Sequence, residues 1–192
     1  MQLNAAQGNF SSVDVSCPHC GKQASIVQGV ETIPLFGQMV LQTISCSHCG
    51  FRWSDVMSVE SGKPMGYEAK VSGENDLSIK IVRNSSGTVE IPELGLKLEP
   101  GPFSEGFFTN MEGLLERFEG PLHMMLRSGT PEQVKKVKKI MEQVHACKEG
   151  KKPFTVRVLD PFGGSLLIGE KVKRFDLDEK KIKSLKKGLH LA

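Results

Sequence analysis

The chain has 192 residues, 39% of them hydrophobic and 24% charged, with a net charge of +3. That length holds one medium domain plus a small module, and the composition is that of an ordinary globular protein. No apolar run approaches the roughly 18 residues of a membrane helix, and so mild a positive charge is weaker than phosphate-driven binding usually shows.

Met1 to Ser16 are polar, with neither a positive n-region nor an apolar h-region, which argues against export. They read as a mobile lead-in to a cytoplasmic protein. Cys17-Pro18-His19-Cys20-Gly21 then opens a motif that Cys46-Ser47-His48-Cys49-Gly50 closes. In each pair two thiolates sit on one tight turn, and the trailing glycine takes the positive φ that aims backbone amides at sulfur. Four thiolates close a tetrahedron around Zn2+ and leave no position for a reactive water. Cys17, Cys20, Cys46 and Cys49 are therefore predicted to fold the chain rather than to react. Two disulfides would need an oxidising compartment, and iron–sulfur proteins cluster their cysteines differently. With four cysteines present, His19 and His48 are read as exposed knuckle residues.

Residues 21–45 separate the two pairs, a gap longer than the usual spacing of about 15–20. A β-hairpin fits it, with strands Ala24 to Ile33 and Met39 to Cys46. Its tip is Pro34-Leu35-Phe36-Gly37. Apolar Leu35 and Phe36 at such a tip either pack on a neighbouring domain or meet a partner. Trp53 to Val59 is a third strand, and Trp53, the only tryptophan, is expected to cap the ribbon core. Residues 11–60 are thus read as a four-cysteine zinc ribbon, with Ser61-Gly62-Lys63-Pro64 as the boundary.

Residues 61–192 read as a mostly β domain. Tyr67 to Val71, Leu77 to Arg83, Thr88 to Ile91 and Leu94 to Leu98 are candidate strands, broken at short intervals by glycine and proline. A helical hairpin follows at about 110–149. Thr109-Asn110-Met111-Glu112 has the form of a capping box, and Gly120-Pro121 is expected to bend or interrupt the first helix. Thr130-Pro131-Glu132-Gln133 starts the second helix, whose apolar stripe is Val134, Val137, Met141 and Val144. Lone Cys147 is read as a core residue of that helix. Strands resume at Phe154, Asp160-Pro161-Phe162-Gly163 makes a turn, and Val172 to Leu177 precedes a basic helix from Asp178 to Lys187, capped by Asp176 or Asp178. Strands on both sides of a helical hairpin imply that early strands pair with late ones.

No phosphate-cradling glycine loop, HExxH or GxSxG occurs, and His123, His145 and His190 lack a recognisable acid or nucleophile partner. An enzyme is not expected. Lys135, Lys136, Lys138, Lys139 and the lysines of the C-terminal segment suggest nucleic acid as an alternative partner. Interspersed acids and an aromatic content of 6% leave few stacking platforms for it.

The ordered motifs match one family. Cys17-Pro18-His19-Cys20-Gly21, Thr32-Ile33-Pro34-Leu35-Phe36-Gly37, Cys46-Ser47-His48-Cys49-Gly50-Phe51-Arg52 and Ile91-Pro92-Glu93-Leu94 are followed by Phe108-Thr109-Asn110-Met111-Glu112-Gly113-Leu114, Pro153-Phe154-Thr155 and Asp160-Pro161-Phe162-Gly163. The chain resembles ZPR-type zinc-finger proteins in a single-module, archaeal-like form. The resemblance implies an α+β, mostly β fold: an N-terminal zinc ribbon like that of translation initiation factor 2 beta, then a barrel-like double-stranded β-helix with an inserted helical hairpin. It also implies binding to translation elongation factor 1-alpha and help with its folding, without catalysis. Eukaryotic members carry the ribbon and β domain twice, whereas this chain has one copy, so a two-module grip on one client does not carry over.

Overall fold

The computed structural model describes residues 9–60 and 62–189. Residues 1–8 of the expected lead-in, Ser61 and His190 lie outside the described residues. Residues 9–16 correct that expectation: they form strand β1 (Asn9–Ser16). β1 lies antiparallel along β2 (Gln23–Ile33), from Asn9 opposite Val30 to Ser16 opposite Gln23. Its serines and aspartate disguise it as loop, because strand propensity yields to pairing with a neighbour. β2 turns into β3 (Gly37–Ser45), and β3 pairs with β4 (Arg52–Ser58), giving a sheet of order β1-β2-β3-β4.

The second unit has two sheets that do not close into a barrel. A five-stranded sheet orders as β12-β5-β10-β7-β8 and a three-stranded one as β11-β6-β9. In chain order these are β5 (Met65–Val71), β6 (Lys80–Arg83), β7 (Thr88–Ile91), β8 (Leu96–Leu98) and β9 (Phe107–Asn110). Helices α1 (Met111–Ser128) and α2 (Pro131–Lys148) are inserted before β10 (Phe154–Asp160), β11 (Leu166–Ile168), β12 (Val172–Asp176) and α3 (Glu179–Lys187). β5 lies between β10 and β12, so early and late strands do pair. The core joins Ala69 and Val71 of β5 and Val156 and Val158 of β10 to Leu114, Leu115 and Phe118 of α1 and Val137 and Val144 of α2.

Several local expectations need correction. Leu77 falls in a 3-10 turn (Glu74–Ser78), which shortens the predicted strand, although Leu77 and Ile79 are both buried. Trp53 stands opposite Ile44 in the ribbon sheet, and its Nε1 also reaches the second unit, donating to the Ser104 carbonyl at 2.8 Å. The cap of α1 is Asn110, whose Oδ1 accepts from the Gly113 amide at 2.9 Å, because the helix begins at Met111, one residue later than a cap at Thr109 implies. Pro121 sits inside α1 without ending it. It lies on the exposed face, where water can reach the Arg117 carbonyl that it leaves without a donor, while Leu114, Leu115, Phe118 and Leu122 anchor the other face. Burial of four such side chains outweighs the roughly 3 kcal/mol cost of an internal proline. The second cap forms as expected: Thr130 Oγ1 accepts from the Gln133 amide and Gln133 Oε1 from the Thr130 amide.

Besides the Trp53 bond, an apolar cluster and a buried polar network join the units. Met39 of β3 and Val56 of β4 are buried with Val82 of β6, flanked by Phe36, Phe108 and Leu166. Beside them runs a buried polar network. Asp55 of β4 accepts from the Ser85 amide at 2.9 Å, the Ser85 hydroxyl at 2.5 Å and Asn84 Nδ2 at 3.0 Å. Asp160 accepts from the amides of Phe162 and Ser165 and from the Ser165 hydroxyl. The Ser86 hydroxyl, 2.6 Å from Asn84 Oδ1 and 2.9 Å from Asp160 Oδ1, links the two carboxylates. Arg83, 1% exposed, supplies the positive charge.

The turn after Asp160 is tightly specified. Gly163 has φ +73°, and a Cβ there would stand 2.0 Å from the Lys63 carbonyl oxygen, which is backbone and cannot rotate away. Gly163→Ala is expected to cost about 1–3 kcal/mol through left-handed strain and overpacking. At roughly 2–4 °C per kcal/mol for a chain this size, thermal denaturation will show the loss.

Candidate metal centre

Each cysteine pair folds on its own short-range hydrogen bonds. In the first knuckle the Cys17 amide donates to the Lys22 carbonyl at 2.7 Å and the Gly21 amide to the Cys17 carbonyl at 2.9 Å. The second repeats the pattern: Cys46 to Phe51 at 2.9 Å and Gly50 to Cys46 at 3.0 Å. Gly21 at φ +73° and Gly50 at +76° occupy the left-handed region that closes each turn. β2 and β3 then carry the knuckles to one end of the sheet, with Ser25 opposite Ser45.

There the four sulfurs converge. All lie within 4.8 Å of one another, with Cys17 Sγ 3.7 Å from Cys49 Sγ and Cys20 Sγ 3.8 Å from Cys46 Sγ. Separations of this size match the edge of a tetrahedron whose centre lies about 2.3 Å from each sulfur, the usual zinc–thiolate distance. Backbone amides tune the thiols. The amide of Cys49, then that of His48, hold the Cys46 thiol down at about 7 against burial. The Phe51 amide pulls Cys49 the same way, but burial and the other three thiols outweigh it and push Cys49 up to about 12. The Lys22 amide likewise pulls on Cys20, whose thiol nevertheless stays above its ordinary value through burial and the neighbouring Cys17 and Cys46. Four thiols this close cannot all ionise alone. A dication at their centre removes the repulsion, so metal binding displaces thiol protons.

Neither flanking histidine enters the cluster. The His19 ring stacks on Phe51 with centroids 6.2 Å apart, and His48 Nε2 contacts Lys22 Nζ. Both are exposed. The two tip residues separate: Phe36 packs edge-on against Phe108 at 5.4 Å, while Leu35 is 75% exposed. Cys147 is buried in the α1–α2 core, where burial pushes its thiol up. Lys135, Lys136, Lys138 and Lys139 lie exposed along α2. By contrast Lys148, Lys171, Lys181 and Lys183 meet carboxylates. No sequence pattern groups Asp55, Arg83 and Asp160 of the buried network; Asp160-Pro161-Phe162-Gly163 reads only as a turn.

Models of the ZPR1 zinc-finger domain and the ZPR1 jelly-roll domain match residues 10–64 and 75–185. The chain belongs to the ZPR1 family. It is 44% identical over 181 residues to a ZPR1-like protein of Pyrococcus horikoshii, covering 91% of this chain and 81% of that one. A ZPR1-like protein of Methanocaldococcus jannaschii is 39% identical over 178 residues, with 91% and 90% covered. The zinc finger chaperone zpr1 of Schizosaccharomyces pombe is 33% identical over 159 residues, 79% of this chain but 34% of its own length. This chain therefore carries the zinc-finger and jelly-roll domains of the family, and zinc is the metal that the four converging cysteines are positioned to bind. No described helix is long and apolar enough to cross a membrane.

Proposed function

We propose that this ZPR1-family chain is a non-catalytic cytoplasmic protein that binds translation elongation factor 1-alpha and assists its folding. In this reading Cys17, Cys20, Cys46 and Cys49 hold zinc for structure, and the hairpin tip at Leu35 and Phe36 touches the client. The observation that carries it is Leu35. A large apolar side chain stands 75% exposed at φ +71°, a conformation that costs a non-glycine residue about 1–2 kcal/mol. Strain and exposure on one residue suit a contact more than packing. Phe36, anchored on Phe108, holds the tip against the jelly-roll unit. The helical hairpin is a second candidate surface, with Met124 and Met125 exposed near the end of α1. Exposed methionines suit an apolar client of variable shape.

Purified elongation factor 1-alpha, titrated against wild type and variants, tests the tip. Leu35→Asp is expected to weaken binding at least about tenfold, the size of a modest hot spot, with an unchanged melting temperature. Phe36→Asp should lower both affinity and melting temperature, since it also breaks the packing on Phe108. Undiminished binding by Leu35→Asp would remove the tip from the contact.

A further inference from the structure

The four-stranded ribbon sheet has two edges, and the molecule treats them differently. The outer edge of β4 is covered by the second unit: the Gly106 amide donates to the Ser54 carbonyl and the Ser58 amide to the Gly164 carbonyl, both at 3.2 Å. β1, the other edge, pairs only with β2 among the described residues. It is a regular strand of eight residues in unbroken register, with no proline, lysine or arginine. Its one charge, Asp14, is turned back to accept from Gln23 Nε2 at 2.9 Å. Natural edges of this length are usually blunted by lysine, proline, bulges or shortness. The other sheets obey: β12 carries Lys173 and Arg174, β8 has three residues with Lys97 at the centre, and β9 and β11 have four and three.

The side chains of β1 specify what would cover it. Trp53, Ile44, Ile26 and Val13 stand directly opposite one another across the sheet and form one apolar row. The row runs out at Val13, which is 50% exposed. An antiparallel strand that continues it must present an apolar residue opposite Val13 and no acid opposite Asp14. β1 itself meets both conditions. With a two-fold axis through Val13, that residue opposes the partner's Val13, Ser12 opposes Asp14, Ser11 opposes Val15 and Phe10 opposes Ser16. Such an axis keeps each sheet face on its own side, so the apolar row passes unbroken into the second copy.

We propose that two copies of this chain associate edge to edge through β1, forming one eight-stranded sheet centred on Val13. The interface is a single strand pair, below the roughly 1,000 Å² of a stable complex, so association is concentration-dependent. Sedimentation of the zinc-loaded full chain tests it. From about 5 to about 500 µM, the range suited to so small an interface, the weight-average mass should rise from 21.1 kDa towards twice that value. Val13→Lys places two like charges on the axis and should weaken association at least about tenfold. Val59→Lys, an apolar site off this edge and 44% exposed, should leave it unchanged. Backbone amides of β1 should gain exchange protection as concentration rises. A mass of 21.1 kDa throughout, or a dimer indifferent to Val13→Lys, would overturn the proposal. So would a monomer whose Val13→Lys variant loses elongation factor 1-alpha, because the edge would then accept a client strand.

Discussion

Chelating the metal, or replacing Cys46 with serine, is expected to unfold the ribbon from β1 through β4. Structural zinc contributes on the order of 10 kcal/mol, comparable to the roughly 5–15 kcal/mol that holds an entire domain. The small knuckle core of Cys17, Ala24 and Cys46, with Val15, Cys20, Ile44 and Phe51 against it, has too little apolar area to compensate. The damage should not stop at the ribbon. Met39, Val56 and Asp55 belong to it, and their loss uncovers Val82 and leaves Asn84 and Ser85 without their carboxylate. Hydrogen exchange before and after chelation should show lost protection throughout β2 and β3 and partial loss in β6. Protection in β2 and β3 that survives removal of the metal would contradict the structural role. Because binding displaces thiol protons, acid should release the ion as well.

The second large effect is expected at Arg83. Arg83→Met keeps the volume and removes the charge. The guanidinium donates to the carbonyls of Gly87 at 2.9 Å and Glu105 at 2.8 Å and to the Ser104 hydroxyl at 2.8 Å. Burial lowers its pKa to about 10, so it remains charged at neutral pH and balances Asp55 and Asp160. Removing one partner from such a buried set typically costs about 3–5 kcal/mol. That corresponds to a melting temperature roughly 10 °C lower for a chain of this size. The sign of the pH dependence follows from Asp55. Burial already holds its carboxyl above the ordinary value, and loss of Arg83 raises it further. An acid whose folded pKa is raised gives its contribution below the unfolded pKa and loses it as pH rises through the folded value. The gap between variant and wild type should therefore widen as pH rises above the ordinary carboxylate range. A gap that is constant, or below about 1 kcal/mol, would mean that the network is not the buried charge balance described.

The metal motif was legible because each half is local: two cysteines and a glycine within five residues determine a knuckle whatever surrounds it. The α2 capping box was legible for the same reason, as was β10, whose alternation of Phe154, Val156 and Val158 survives in the burial pattern. Errors gathered where a distant neighbour decides. β1 is a strand because β2 pairs with it, and Asn110 caps α1 because pairing with β6 holds the chain in β9 through Asn110, so the helix starts only at Met111. Pro121 is tolerated because the opposite helix face is packed. The choice left open at Phe36, between internal packing and a partner, depends on Phe108, which no local pattern connects to the tip.

The zinc-binding knuckles, the ribbon hairpin between them, the helical hairpin and the family to which these belong can all be read from the order of amino acids. All of these rest on interactions spanning a few residues, or on motif order. How the units join depends on long-range contacts: Asp55 reaches Asn84 across 29 residues and Ser86 reaches Asp160 across 74. A buried carboxylate is stable only where donors and a counter-charge arrive from elsewhere in the chain, and their arrival is a property of the folded chain rather than of any segment.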